Sequence, residues 1–148
     1  MTIPKGVLDQ ALRVYADETY NLLSNFNSQV SAERKTLTGG YKNADKTFEA
    51  KVDAIEKERK SRKKDAVRTY KRDSTSEGSS YTDFAADKQA IDTECDTQVR
   101  SAEAARDRTY FQLDTTFADR LKVVLDKNAK AVTTSLRKLS DALPSEED

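Results

Sequence analysis

The apolar residues in the second half of the chain stay in helical phase for about sixty residues, from Phe84 to Leu143. They recur at steps of four, three and four, close to the 3.67-residue period of an 11-residue repeat, which keeps an apolar stripe nearly straight along a helix. This half is therefore expected to be one very long helix. The stripe consists of Phe84, Ile91, Cys95, Val99, Ala102, Tyr110, Leu113, Phe117, Leu121, Val124, Val132, Leu136, Leu139 and Leu143.

A second stripe runs through the first half. Its first members follow a heptad-like spacing that favours helix–helix packing, and they are Leu8, Leu12, Tyr15, Thr19, Leu22 and Phe26. Gly39-Gly40 interrupts the stripe, and glycines there either cap a helix or weaken it by about 1 kcal/mol each. Because Leu37 and Tyr41 keep the phase across the glycines, we favour an unbroken or kinked helix, with a turn as the alternative.

A polar, turn-prone segment at 73–80 follows, and Ser80 to Asp83 resembles a capping box. The expected fold class is all-α, a long antiparallel helical hairpin of the coiled-coil type. We predict one elongated helical domain over 1–148, with arm one at 4–72, a polar tip loop at 73–80, arm two at 81–143 and an acidic tail at 144–148. A turn at Gly39-Gly40 would give an elongated three-helix bundle instead.

Folding the chain about residue 76 or 77 sets residue i opposite a residue near 153 minus i. This register pairs Tyr70 with Phe84 and Leu12 with Leu139. It also places Gly39-Gly40 against Leu113, where missing side chains would make room.

The composition lacks residues that active sites commonly use. The chain has no histidine, the usual general base near neutral pH and a common metal ligand. Its carboxylates lie outside the seam, the predicted line of contact between the apolar stripes of the two arms. No glycine-rich phosphate loop is present. We expect no enzymatic activity and no catalytic, cofactor-binding or metal site.

The single cysteine, Cys95, falls on the seam and excludes an intrachain disulfide. No secretion signal or membrane-spanning apolar segment is apparent. The expectation is a soluble protein, either cytoplasmic or part of a particle assembled inside the cell.

A basic run at 57–72 carries a net charge of +7, and its expected neighbour at 81–96 carries −4. An intramolecular charge zipper between the two segments is the favoured interpretation. The chain as a whole has 26 basic and 26 acidic residues, so it has no net charge that would attract polyanions. The alternative function is a polyanion-binding module, with nucleic acid as the less favoured partner. Its possible contacts are Arg59, Arg62, Lys63, Lys64, Arg68, Lys71 and Arg72.

The apolar stripes widen near the two termini, beyond what a two-helix seam needs. The predicted association face consists of Leu8, Leu12, Tyr15, Leu22, Leu23, Phe26, Val124, Leu125, Val132, Leu136 and Leu139. We expect a homo-oligomer, with a dimer favoured, or a protein partner in a larger assembly. The predicted function is that of a non-enzymatic structural or assembly protein, a coiled-coil rod similar in build to accessory components of multi-protein particles, including virions.

Overall fold

The chain folds as an all-α hairpin of two long antiparallel helices. The computed structural model describes residues 6–73 and 81–143, where α1 spans Val7–Asp73 and α2 spans Tyr81–Asp141. Helix α1 continues through Gly39 and Gly40 without interruption, which confirms the favoured unbroken arm and excludes the three-helix alternative. The predicted helix start at Pro4, the tip loop with its capping box, and the acidic tail fall on or next to residues 1–5, 74–80 and 144–148, which lie outside the described residues.

Long helices suit this sequence because no proline occurs between residues 5 and 143, so no position inside either helix lacks its backbone donor. Charges also suit the helix ends, with Asp9 in the first turn of α1 and Lys71 and Arg72 in its last turn. Gly6 precedes α1 with a φ of 94°, a conformation that glycine adopts without steric cost, and its carbonyl accepts the Gln10 amide at 2.9 Å. No pattern in the sequence distinguishes Gly6 from the other glycines.

Burial along both helices follows the 11-residue repeat. On α1 one set of seam positions is eleven residues apart, at Ala11, Leu22, Glu33, Ala44, Ile55 and Ala66. On α2 the matching set is Phe84, Cys95, Arg106, Phe117, Asn128 and Leu139. Eleven residues make about three helical turns, so each set returns to the same side of its helix. Cys95, whose side chain is fully buried, fills the seam as expected.

The heptad expected at the start of α1 fails at its first two positions, Leu8 and Leu12, whereas its other four positions, Tyr15, Thr19, Leu22 and Phe26, are partly buried. Leu8 and Leu12 are 39% and 48% exposed, whereas Ala11 and Tyr15 are partly buried and line a groove with Leu139. The predicted pairing of Leu12 with Leu139 fails for the same reason. An 11-residue repeat that includes Leu22 requires residue 11, not residue 12, to lie on the seam.

The described residues form two compact units, one containing 6–38 and 114–143, the other 39–73 and 81–113. In the first unit the predicted register sets residue 18 opposite 135, and the side chains of Glu18 and Ser135 are hydrogen-bonded. In the second unit it sets residue 70 near 84, and the Tyr70 and Phe84 rings stack with centroids 4.6 Å apart. The register is confirmed within each unit.

A side chain added at Gly40 would have to displace Leu113. A Cβ built there would lie 2.6 Å from Cδ2 of Leu113, whereas a Cβ at Gly39 would meet nothing within 4 Å. The expected packing of Leu113 against the glycine pair is therefore confirmed for Gly40, and Gly39 contributes no space to it.

Candidate association face and basic segment

The predicted association face divides into two groups in the structure. Six residues are partly buried on the seam between the two helices of the first unit, namely Tyr15, Leu22, Phe26, Val124, Val132 and Leu139. The other five, Leu8, Leu12, Leu23, Leu125 and Leu136, are between 39% and 56% exposed. We call these five residues the leucine face. The sequence pattern predicted the widened stripe without separating the residues that hold the hairpin together from those that point outward.

All five leucines point to one side of the two-helix layer. Leu12 and Leu23 each follow a seam residue of α1 directly, and Leu125 and Leu136 each follow a seam residue of α2. One residue advances a helix by about 100°, and in antiparallel helices that rotation turns both toward the same side of the layer. Leu8, three residues before Ala11, lies on this side as well. Val14 lies on the opposite side, where it lines a groove with Glu18 and Ser135.

Exposed apolar residues are concentrated in the first unit. Of the twelve large apolar side chains that are exposed among the described residues, ten belong to this unit and only Tyr81 and Phe111 belong to the second. The buried apolar residues show the opposite distribution, since Ala44, Ile91, Cys95 and Ala102 all lie in the second unit. The first unit thus has much apolar surface and, over the part of the chain described, no fully buried apolar side chain.

A polar contact crosses the seam of the first unit. The Ser135 hydroxyl, which is 3% exposed, donates to the Glu18 carboxylate at 2.7 Å, and the Lys138 ammonium lies 3.4 Å from the other carboxylate oxygen. The hydrogen bond from Ser135, with a smaller contribution from Lys138, lowers the pKa of Glu18 below its usual value. This pair was not predicted, because glutamate and serine read as surface residues until the register brings them together.

The charge zipper is present in the second unit. Arg59, whose side chain is 16% exposed, places its two terminal nitrogens 2.8 Å from Asp92 and 2.6 Å from Asp96. Lys63 lies 2.6 Å from Asp92, and Arg62 donates to Glu94 at 2.8 Å. By helical phase, Arg59 and Lys63 reach their partners on one side of the seam and Arg62 reaches its partner on the other.

These contacts shift the affected groups toward their charged forms. Hydrogen bonds from Lys63 and Arg59 lower the pKa of Asp92, and the hydrogen bonds to Asp96 and Asp92 raise the pKa of Arg59. The hydrogen bond to Glu94 raises the pKa of Arg62. Three of the seven residues predicted as polyanion contacts are therefore already bound to carboxylates of α2.

The remaining four predicted contacts differ among themselves. Arg68 lies 3.7 Å from Asp65 on its own helix, and Lys71 and Arg72 also take part in interactions. Lys64 is exposed and pairs with no carboxylate of the described residues. Within the predicted basic site, Arg59, Arg62 and Lys63 thus hold the two helices in register, and the other four residues are not shown to do so.

Aromatic and cationic groups fill the middle of the second unit. The Tyr41 and Tyr110 rings meet edge to face at 5.2 Å, and the Tyr110 hydroxyl donates to Asp45. The Arg106 guanidinium lies over the Phe48 ring, 4.3 Å from its centroid. A groove of about 260 Å³ borders this cluster, lined partly by Gly40, Ala44 and Ala102.

The described residues include no group of three or more cysteine, aspartate or glutamate side chains that could hold a metal ion. Neither helix, over its described length, has a stretch long and apolar enough to cross a bilayer. Comparisons with protein-family models, curated proteins and solved structures find no match to this chain. The geometry of the two units is therefore the basis for any functional conclusion.

Proposed function

We propose that this protein is a non-enzymatic structural or assembly protein that pairs with a second copy of itself through the leucine face. The observation that carries the proposal is the imbalance within the first unit. Five leucines project from one side of a two-helix layer that buries no apolar side chain fully among its described residues. Apolar area of this kind is stabilised when another surface removes it from water, at about 25 cal/mol per Å².

A second copy is a suitable occupant because the face combines protruding and small side chains in a repeating order. Along α2 the sequence on this side alternates Ala118, Leu125, Ala129 and Leu136, with the two alanines and the two leucines each eleven residues apart. An identical face turned over it would set leucines opposite alanines, as knobs enter holes in helical bundles. The product is a four-helix bundle in which both copies bury the same residues.

The paired protein would then act as a spacer or docking component of a larger assembly, which is the non-enzymatic role that the composition favours. Arg59, Arg62 and Lys63 give no support to the polyanion-binding alternative, because these three cations are bound to α2 carboxylates.

The test is the molar mass in solution, measured by sedimentation equilibrium across a wide concentration range. The wild-type chain should approach twice its 16.6 kDa mass. Leu125→Glu places a charge in the leucine face and should give the monomer mass while the circular dichroism spectrum stays helical.

Val123→Glu is the matched control. Val123 is 65% exposed, two residues from Leu125, and points away from the leucine face. This variant should remain a dimer. A wild-type chain that stays at the monomer mass up to millimolar concentration, or a Val123→Glu variant that dissociates as readily as Leu125→Glu, would contradict the proposal.

A further inference from the structure

Five lysines of α1 in the second unit lie on or at the edge of the side that faces away from α2. They are Lys42, Lys46, Lys57, Lys60 and Lys64, and we call them the outer lysines. Each is exposed, and none pairs with a carboxylate of the described residues. The charge zipper engages Arg59, Arg62 and Lys63, which lie between and beside them along the same helix.

Helical phase explains the difference. Lys46 and Lys57 each lie two residues after a seam position, which turns them by about 200° to the side of α1 that faces away from α2. Lys42 and Lys64 point in nearly the same direction, and Lys60 lies at the edge of this side. The α2 carboxylates that neutralise the seam arginines therefore cannot reach these five ammonium groups.

The outer lysines form two groups with an acidic gap between them. Lys42 and Lys46 form the first group, and Lys57, Lys60 and Lys64 form the second. The gap from Lys46 to Lys57 is eleven residues, or about 16 Å along the helix, and the whole set extends over about 33 Å. Glu49 and Asp53 occupy the gap, so this side keeps a net charge of +3.

We propose that the outer lysines bind the phosphate backbone of duplex nucleic acid without reading its sequence. The extent of the set, about 33 Å, is close to one turn of B-DNA, so a duplex offers phosphates along its full length. The gap of about 16 Å lets the two lysine groups contact the phosphate rows that border a major groove of about 12 Å, with the acidic pair above the groove.

The residues around the outer lysines favour duplex nucleic acid over single strands and over an anionic bilayer. Aromatic residues are absent from this side of α1 between 42 and 64, where Tyr41 and Phe48 belong to the seam side. Single strands are usually held by stacking on aromatic rings, so a duplex fits better. The small or polar residues between the lysines, such as Ala50 and Ser61, offer nothing to insert into a bilayer.

The experiment is a salt titration of binding to a mixed-sequence DNA duplex, followed by fluorescence anisotropy on the full chain. The test variant replaces three outer lysines, as Lys46→Gln, Lys57→Gln and Lys64→Gln. The control variant removes the same charge from exposed lysines of the first unit that lie away from the leucine face, as Lys35→Gln, Lys127→Gln and Lys130→Gln.

Wild-type binding should weaken with salt at a slope near −4.5 on logarithmic axes, from about −0.9 for each of five phosphates. The test variant should bind at least tenfold more weakly at low salt. Its salt dependence should also be weaker, with the magnitude of the slope reduced by about 2.7. The control variant should keep the wild-type slope. Because all six lysines are exposed, circular dichroism should show equal helix content in both variants.

Three results would overturn the inference. These are absence of wild-type binding at low salt, equal loss of binding in both variants, and binding to vesicles of phosphatidylserine and phosphatidylcholine without binding to the duplex. None of these results bears on the proposed dimer, because the outer lysines and the leucine face belong to different units and are tested by different measurements.

Discussion

Two adjacent glycines in α1 have opposite surroundings. Gly39 faces open space, whereas Gly40 faces the Leu113 side chain closely enough that an added methyl group would collide with it. Both cost helix stability relative to alanine, by about 1 kcal/mol each. At Gly40 packing offsets part of this loss of stability, because the absence of a side chain lets Leu113 pack against the α1 backbone.

Alanine substitutions should separate the two glycines. Gly39→Ala should stabilise the protein by up to about 1 kcal/mol, because it gains helix propensity and meets no neighbour. Gly40→Ala should destabilise it by about 1 to 2 kcal/mol, because overpacking against Leu113 exceeds that gain. Urea unfolding measures both. Combining Gly40→Ala with Leu113→Ala should remove most of the overpacking penalty, and independent effects of the two changes would contradict this account.

At the scale of the helices, charge pairs and the apolar repeat together fix the register. The 11-residue repeat alone would tolerate a shift by one repeat, because the seam looks similar after every three turns. Arg59 with Asp92 and Asp96 in one unit, and Glu18 with Ser135 in the other, are satisfied only in the observed alignment. Each exposed pair contributes little by itself, but together they disfavour slipped alternatives.

Acid should weaken both of these links. Asp92 and Glu18 have pKa values lowered in the folded protein, so their contribution is complete above the unfolded values, near 3.8 and 4.5, and is lost as the pH falls through the lower folded values. The melting temperature, followed by circular dichroism, should fall in this acid range. The double variant Asp92→Asn with Glu18→Gln should melt lower at neutral pH and lose less on acidification.

Glu49→Gln provides the comparison, since Glu49 is exposed and pairs with no cation of the described residues. Its acid response should match that of the wild type. A double variant that loses as much melting temperature on acidification as the wild type would contradict the role given to Asp92 and Glu18.

Periodicity was enough to predict the two helices, and folding the chain about the polar segment at 73–80 predicted their antiparallel register and the contact of Leu113 with a glycine. It failed at Leu12, because a heptad and an 11-residue repeat differ by only one residue over the first turns and alanine at position 11 is a weak signal. It also could not separate Leu22 from Leu23, since that distinction depends on where the centre of the seam lies. The outer lysines could not be identified from the sequence for a similar reason. The sequence gives the net charge of a segment, but which of its cations face α2 depends on the position of the seam.

The whole molecule combines two units with different surfaces. Among the described residues, the unit of 6–38 and 114–143 carries most of the exposed apolar side chains, and the unit of 39–73 and 81–113 carries the buried apolar residues, the charge zipper and the outer lysines. The proposed association and the proposed electrostatic binding thus involve different parts of one chain. A substitution that affects one of these functions should leave the other measurable.

The proposed dimer makes thermal stability depend on protein concentration. A tenfold increase in concentration should raise the melting temperature by about 2 °C, because tenfold corresponds to about 1.4 kcal/mol per dimer and the unfolding entropy is that of both chains. Differential scanning calorimetry at several concentrations measures this shift. The Leu125→Glu variant should melt at the same temperature throughout, and a wild-type melting temperature that is also constant would show that folding does not involve a second copy.

The 11-residue repeat has a consequence for how such a chain can change in length. Adding or deleting eleven residues in both helices at matched positions would preserve the seam, the side occupied by each leucine and the spacing of the charge pairs. A change of seven residues would rotate everything beyond it by about 30° and bring polar side chains into the seam. Eleven residues correspond to about 16 Å of helix. Natural or engineered variants that keep this packing should therefore differ in helix length by multiples of about 16 Å.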